Sequence, residues 1–493
     1  MTARTTVVER GRSASAAGVD PAFVAYTDRR RQAWNRVPDD LVGLTAFNAA
    51  YHRRLAEIYR WLIPSDSRIA EIGCGTGDLL NAVAASGVGI DFSPRMLAAA
   101  RARHPGLELI EADVHELQLD RPFDYIILSD LVDDLWDVQI ALARVRTLCH
   151  PGTRVILNFY SHLWAGPRAV AQRLGLAKPI LEQNWLTVGD VANLLHLAGF
   201  EVVRRWEEVL CPLPIPGVAA LANKVLVKSW PFRLGALANF IIARPDPSTI
   251  ERRPEPSVTV VVPARNEAGN IDAIFERVPV MGRATELIFV EGHSRDETYA
   301  AIERGIAAHP DRSCRLFRQP GEGKADAVRV GFEAATGDVL MILDADLTVA
   351  PEDLPRFFEA IHSGRGEFIN GVRLVYPMED RAMRFFNLLG NKFFSHVFSW
   401  LLGQPIKDTL CGTKVLWRDD YRRILAGRAY FGDFDPFGDF ELLFGAAKLN
   451  RRIIEMPIRY RERVYGTTNI RRWKHGWLLL GMSAFAARRM KWV

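Results

Sequence analysis

Along this chain, short β-branched apolar runs alternate with segments of helical period in two separate blocks. In the first block the runs fall in "RIAEIGCGTGDLLNAVA" (68–84), "GVGIDFSP" (87–94) and "FDYIILSDLVDDLW" (123–136). In the second they fall in "SVTVVVPARNEAGNI" (257–271), "ELIFVEGHSRDET" (286–298) and "VLMILDADLT" (339–348). Strand runs followed by helix periods predict βα units around a mostly parallel sheet. Between the blocks, "RPDPSTIERRPEP" (244–256) has four prolines, charges of both signs and no apolar period. It reads as an exposed linker, so the pattern predicts two α/β domains joined end to end, without internal repeats.

Length agrees with this division, because 493 residues exceed what one core ordinarily organises. Cys74, Cys149, Cys211, Cys314 and Cys411 show no CxxC pairing or metal-ligand spacing. That predicts reduced cytoplasmic thiols, with neither zinc nor structural bridges. Residues 1–44 read as a disordered or helical extension, and the first twenty lack the apolar core of a secretory signal. The apolar run "GWLLLGMSAFAA" (476–487) would span about 18 Å as a helix, against roughly 30 Å of hydrocarbon, so no membrane crossing is expected. From Arg451 to Val493, basic residues outnumber acidic ones eleven to two, which points to an anionic partner. No nucleic-acid-binding module accompanies that charge, and nucleic acid is not expected as a partner.

In the first block, a strand leads into Gly73, Gly75 and Gly77 and then into helix formers, a turn that lets backbone approach a ligand at a helix N-terminus. Asp91 follows Gly73 by eighteen residues at the end of a second strand, where an acid can take both hydroxyls of a ribose. The spacing is GxGxG with Glu71 ahead of it, unlike the GxGxxG of dinucleotide sites. Together "EIGCGTGDLL", "IDFSPRML", "EADVHEL" and "FDYIILSDLVDDLW" resemble the class I S-adenosylmethionine-dependent methyltransferases, over residues 45–243. The resemblance implies a Rossmann-like domain with S-adenosylmethionine as cofactor. It places Glu71 and the glycines at the amino-acid end of the cofactor, Asp91 on the ribose, Phe92 near the adenine and Asp113 at the adenine amine. Ser129 and Asp130 would stand where the methyl is delivered, although a strand-end cap accounts for them equally. Trp136 and Trp164 belong either to lid segments or to the core. Methyl transfer needs mainly alignment, and a base only for a protonated nucleophile, so the acceptor is not legible.

In the second block, Asp344 and Asp346 lie two apart at the end of a buried run, and alternate positions of an extended chain face one side. Two converging carboxylates favour a divalent cation, and hard oxygen ligands suit Mg2+ or Mn2+ bridging to nucleotide phosphates. A turn or capping role is the plain alternative. The ordered series "VVVPARNEAGNI", "VEGHSRDET", "GKADAVRVG", "DADLT", "GDFELLFGAAK" and "EMPIRYRERVYGTTNIRR" resembles family 2 glycosyltransferases of the GT-A fold. It looks nearest to the polyprenyl-phosphate sugar synthases related to dolichyl-phosphate mannosyltransferase, over residues 257–493. The resemblance implies Asp346 as the firmer metal ligand and Asp344 as shared between metal and ribose. Pro263, Ala264, Asn266 and Glu267 would shape the nucleotide pocket, Glu291 would contact the base, Lys324 would approach the diphosphate and Asp296 would support the pocket. Many relatives carry aspartate at the position of Glu291, which leaves GDP and UDP both open.

Inverting transfer to a hydroxyl needs a general base, for which Asp439 or Glu441 is the natural residue, whereas a phosphate acceptor needs none. An N-terminal helix cap remains open for Asp439. Residues 381–403 place aromatics at helical spacing with few charges, consistent with two short helices in a membrane interface, and equally with a core or a dimer contact. The basic C-terminal segment pairs Arg and Lys with Trp as interfacial anchors do. Arg459, Arg461, Arg463 and Arg471 are the candidates for an acceptor phosphate, since the guanidinium fork suits phosphate oxygens. Asp408, Thr409 and Thr413 sit where the resemblance puts the acceptor pocket. The expectation is a bifunctional enzyme, peripheral to the cytoplasmic membrane face, using a nucleotide-diphospho-sugar and a polyprenyl phosphate or other lipid acceptor. Two alternatives stay open: a soluble glycan hydroxyl as acceptor, and a first domain that binds S-adenosylmethionine only as a regulatory module.

Overall fold

The computed structural model describes residues 20–40, 46–84, 86–174, 181–250, 253–373, 375, 385–430, 439–461, 463, 465 and 472–492. Two seven-stranded sheets organise them. The first contains β1 (Ile69–Ile72), β2 (Val88–Asp91), β3 (Glu108–Glu111), β4 (Phe123–Ser129), β5 (Cys149–Tyr160), β6 (Phe200–Glu208) and β7 (Ala238–Pro245), in the order β3-β2-β1-β4-β5-β7-β6. Strands β1 to β5 pair in parallel, and β7 runs antiparallel to both neighbours. The second contains β8 (Val258–Ala264), β9 (Thr285–Glu291), β10 (Ser313–Arg318), β11 (Val339–Ile342), β12 (Phe368–Val372), β13 (Lys414–Trp417) and β14 (Ile453–Pro457), in the order β10-β9-β8-β11-β13-β12-β14. Here β13 is antiparallel to β11 and β12, and the other pairs are parallel.

Every residue of β1 (IAEI) and of β11 (VLMI) is buried, as strands covered by helices on both faces require. Strand order reverses between β1 and β4 in one sheet and between β8 and β11 in the other. The carboxyl ends at such a reversal open a crevice for a ligand, so the topology provides two sites.

Two features depart from the sequence reading. Strand β7 extends through Arg244 and Pro245, the first residues of the expected exposed linker, and Arg244 is only 3% exposed. Its guanidinium pairs with Glu201 (2.6 Å) and donates to the Gly364 carbonyl (2.8 Å), which draws it out of solvent. The halves are therefore packed together, not strung end to end. Fully buried Arg154 of β5 pairs with Glu367 and donates to the Asn450 carbonyl (2.7 Å), and Glu367 also meets Arg244 (3.5 Å) and Arg451 (3.4 Å).

Second, residues 385–402 form one 18-residue helix, where two short ones were expected. Its Phe394, Phe398, Leu401 and Leu402 are buried in the second domain's core, while Phe393 is exposed. Helical spacing of aromatics here serves mainly a core. The Arg472–Met490 helix buries Leu479, Met482, Ala486 and Met490 in the same core and exposes Trp477. No described helix is long and apolar enough to cross a membrane. Within the extension, read as disordered or helical, a helix, Pro21–Asp40, packs on the first domain, and residues 1–19 lie outside the described set.

Two candidate functional sites

At the first reversal, β1 delivers Glu71 and the chain turns through Gly73, Gly75 and Gly77, whose φ angles of 73°, 53° and 72° are left-handed. A Cβ on Gly73 would lie 2.8 Å from Leu131, so glycine also keeps this loop against the one that follows β4. Asp91 accepts from the backbone N–H groups of Gly75 (2.9 Å) and Ser93 (2.8 Å), which fixes its carboxylate over the loop. Glu71 is buried and its Oε2 has no hydrogen-bond partner. Burial raises the carboxyls of Glu71 and Asp91 above their usual range. An orphaned carboxylate oxygen beside a glycine cradle matches an ammonium group, so these residues fit the amino-acid end of S-adenosylmethionine.

Asp113 accepts from His115 through its backbone N–H (2.9 Å) and stands 2.7 Å from ring Nδ1; burial opposes its ionisation, but these bonds outweigh it. Phe92 lies beneath the Arg31 guanidinium, 5.8 Å from its ring centre. Arg31 belongs to the Pro21–Asp40 helix, whose Asn35 accepts from Ser93 Oγ (2.7 Å) and whose Trp34 donates to Asp134 (3.0 Å). That helix thus reaches Phe92 and Ser93, beside Asp91, which its sequence did not announce. Trp136 is 42% exposed and packs edge-on to Phe23 and Tyr26 of the same helix.

Strand β4 ends at Ser129, and Asp130 follows with φ 51°. Asp130 Oδ1 accepts from Tyr51 Oη (2.9 Å) and Asn158 Nδ2 (2.6 Å), and Tyr59 donates to Asn158 Oδ1 (2.7 Å). Tyr51 stacks on Tyr160, which carries the Arg168 guanidinium over its ring. Burial pushes both Asp130 and Asp133 up to about 7. Tyr51, Asn158 and Tyr160 were missed because they come from distant elements with no local motif.

At the second reversal, β8 ends in Pro263 and Ala264, and the loop beyond is held by reciprocal bonds. Asn266 (φ 57°) accepts from Arg295 N–H (2.7 Å) and its own N–H donates to Ser294 Oγ (3.0 Å). Asp296 accepts from Ala268 (3.3 Å) and Thr298 (3.1 Å) N–H groups and so ties the two loops together. Glu291 is buried at the end of β9 and accepts from Ser294 N–H.

After β11, Asp344 pairs with Lys324 Nζ at 2.7 Å. Asp346 accepts from Thr348 N–H (3.1 Å) and Oγ1 (2.8 Å) on one oxygen and from Arg463 Nη2 (2.5 Å) on the other. Arg463 also meets Glu267 (3.5 Å), whose Oε2 accepts from Asn270 (2.7 Å). Burial pushes Glu267 up to about 7, the Arg463 charge opposing it. Arg463, expected at the acceptor phosphate, is thus joined to the two-aspartate motif. Arg461 donates its N–H to the Thr348 carbonyl (3.0 Å), Arg459 is exposed, and Arg471 lies outside the described residues. Gly412 was not anticipated: a Cβ there would sit 2.0 Å from Asp344 Oδ2 and 2.2 Å from Lys324 Nζ.

Among the described residues no group of three or more His, Cys, Asp or Glu could hold a metal ion. The Asp344 and Asp346 oxygens are chemically suited to Mg2+ or Mn2+ only where phosphate and water complete the coordination. Glu441 pairs with Arg329 (3.5 Å) and Arg428 (3.3 Å), and Asp439 opens the Asp439–Lys448 helix with its side chain outside the described set. Asp408 is fully buried under a two-pronged ion pair from Arg373 (2.7 and 2.8 Å), and the buried hydroxyls of Thr409 and Thr413 have no partner.

Two families match the chain: "Methyltransferase domain" over residues 69–152 and "Glycosyl transferase family 2" over residues 259–424. Dolichol-phosphate mannosyltransferase of Pyrococcus furiosus is 26% identical over 48% of this chain and 64% of its own length. Polyprenol monophosphomannose synthase of Mycolicibacterium smegmatis is 28% identical over 46% and 84%. Undecaprenyl-phosphate 4-deoxy-4-formamido-L-arabinose transferase of Klebsiella pneumoniae is 24% identical over 43% and 62%, so the chain spans less than two thirds of the first and third of these relatives. Among solved structures, an S-adenosylmethionine-dependent methyltransferase of Thermotoga maritima aligns with a TM-score of 0.35 and 16% identity, covering 43% of this chain and 97% of that one. The chain joins an N-terminal class I methyltransferase domain to a C-terminal family 2 glycosyltransferase domain.

Proposed function

We propose that the chain is a bifunctional transferase: its C-terminal domain moves a sugar, with inversion and metal dependence, from a nucleotide-diphospho-sugar to a polyprenyl phosphate, and its N-terminal domain methylates a separate acceptor using S-adenosylmethionine. The observation that carries the first activity is the convergence of Asp344, Asp346, Lys324 and Arg463 at the β8–β11 crevice, in a domain related to polyprenyl-phosphate sugar transferases. A bound Mg2+ or Mn2+ supplies charge that lets the diphosphate depart. Lys324 and Arg463 add fixed positive charge beside the same phosphates, and the Asn266–Ala268 loop bounds the nucleotide.

A phosphate acceptor is already ionised and asks no base of the protein. The position of Glu441 beside two guanidiniums supports that reading over a hydroxyl acceptor, because each of its oxygens faces a fixed positive charge, Arg329 or Arg428. The exposed basic segment around Arg459 and Arg461 supports a peripheral position at an anionic membrane surface.

In the N-terminal domain, S-adenosylmethionine supplies an electrophilic methyl group. Glu71 holds its ammonium, Asp91 its ribose and Asp113 its adenine amine. Asp130 then takes the proton of an acceptor O–H or N–H, which its raised affinity for protons suits it to do near neutral pH.

Nucleoside diphosphate release from GDP- and UDP-sugars, with Mg2+ or Mn2+ and with or without polyprenyl phosphate, tests the first activity, with Asp346→Ala as control. Release that requires both the lipid and Asp346 supports the proposal. Release that ignores the lipid and responds to a soluble glycan replaces it with the hydroxyl-acceptor reading.

A further inference from the structure

Where the two domains meet, a cleft is lined by Arg54, Arg204, Arg205 and Glu208 of the first domain, by Lys228 of the β6–β7 connection and by Lys491 of the second domain. Its charges do not balance. Glu208 is buried and already committed: it accepts from Arg54 (3.3 Å), from Lys228 and from Trp206 Nε1 (2.9 Å). Among the described residues, neither Arg204 nor Lys491 has a carboxylate within ion-pair distance. Arg204 is 8% exposed, its Nε and Nη2 have no hydrogen-bond partner, and its guanidinium rests between Trp61 (5.4 Å) and Trp206 (4.8 Å).

A buried guanidinium with two unused donor nitrogens is costly unless an anion meets it. We propose that this junction cleft binds a phosphoryl anion, with Arg204 and Lys491 as its direct ligands and the two tryptophans orienting the arginine fork. The cavity, about 40 Å³, holds a group of a few atoms and not a nucleotide. Burial pushes Lys491 down to about 7, with the Arg204 and Lys228 charges adding to it, and burial pushes Arg204 down to about 10; the carboxylate acting on both, Glu208, is already shared with Arg54 and Lys228. Glu207 is the remaining nearby acid and pulls Lys491 only weakly the other way.

The phosphoryl group has two sources, a lipid headgroup or a free phosphate. The surroundings favour the lipid. From Val209 to Pro245 the chain has no acidic residue, and Leu221, Trp230, Phe232 and Leu234 of this connection are between 48% and 73% exposed. Apolar and aromatic exposure joined to positive charge is the make-up of a surface for anionic lipid. The proposal does not depend on sugar transfer, and its test uses no donor.

The test compares the full chain with Lys491→Gln and Arg204→Gln in thermal unfolding, in chloride and in inorganic phosphate at constant ionic strength. The expected result is a rise in Tm of about 2–4 °C for the parent protein in phosphate, absent in both variants. In chloride, Lys491→Gln should melt no lower than the parent, because the buried charge it removes has no carboxylate at ion-pair distance and only a long contact to the Trp400 ring (5.8 Å). A merely structural lysine would lower it. Flotation with phosphatidate or phosphatidylcholine vesicles separates the sources. Phosphatidate binding lost in the variants assigns a lipid headgroup, and a phosphate response without flotation assigns a free phosphate. Equal phosphate responses in all three proteins, or none in either arm, would overturn the proposal. Should Arg204→Gln fail to fold, Lys491→Gln just beyond the last helix decides.

Discussion

At the β1–β4 crevice buried Glu71 and Asp91 and half-buried Asp130 have neutral hydrogen-bond donors, whereas at the β8–β11 crevice Asp344 and Asp346 each face a cation, Lys324 and Arg463. The same side-chain chemistry is therefore set up for opposite ligands. Carboxylates buried without a counter-charge gain most from a cation, and S-adenosylmethionine brings an ammonium and a sulfonium. Carboxylates interleaved with Lys and Arg keep positive charge available for a diphosphate while still offering oxygen to a metal. A substitution that breaks one site should leave the other working, because different strands build them.

The largest expected effect is that of Asp346→Ala. It should slow nucleoside diphosphate release by about 10²–10³-fold, as loss of preorganised charge stabilisation does, and leave methyl transfer unchanged. Removing divalent metal with a chelator should reproduce this split. Parallel loss of methylation would show that the two crevices are not independent.

Next comes Asp130. Its folded pKa, about 7, is raised, so the carboxyl is protonated below that pH and becomes a base above it. Methyl transfer should climb with pH through about 7 and then level off, and Asp130→Asn should lose this limb and run about 10²-fold slower. A pH profile of the parent that is flat between 5 and 9, taken as roughly two units on either side of the shifted value, would remove Asp130 from proton transfer.

These two residues also show what the sequence discloses. Asp344 and Asp346 were legible as a pair because a two-residue spacing is a local property, although both lie in the loop beyond β11 and not on an extended strand, so that each meets its own cation. Glu71, Gly73 and Asp91 were legible because a βα turn is local too. Tyr51 and Asn158 were not, since they reach Asp130 from 79 and 28 positions away. Arg463 is basic among basic neighbours, and only folding decides that it faces Asp346 and Glu267. The aromatics of 385–402 carried one periodicity that a core and a membrane surface share, and burial of Phe398 and Leu402 resolves most of it toward the core.

The orphaned oxygen of Glu71 gives the third prediction. Glu71→Gln keeps the shape and removes the charge, so S-adenosylmethionine binding measured by calorimetry should weaken roughly 10–100-fold, the worth of a charged hydrogen bond. Protein stability should not fall, because the parent residue is a buried carboxylate without full compensation. Unchanged affinity would mean that the carboxylate faces something other than the cofactor.

The smallest effect is also the most specific to this structure. An alanine at Gly412 would bring its Cβ to 2.0 Å from Asp344 Oδ2 and 2.2 Å from Lys324 Nζ. Both atoms end flexible side chains, so they can retreat and the fold should hold, with a stability change of about 1 kcal/mol or less. What they cannot do is retreat and keep their 2.7 Å pair. Gly412→Ala should therefore raise the donor KM roughly tenfold through displaced ligands. Combined with Lys324→Met it should add little, since residues sharing one contact are not additive. Full additivity would mean that the glycine is required by the loop's backbone, and that the Lys324–Asp344 pair owes nothing to the space it leaves.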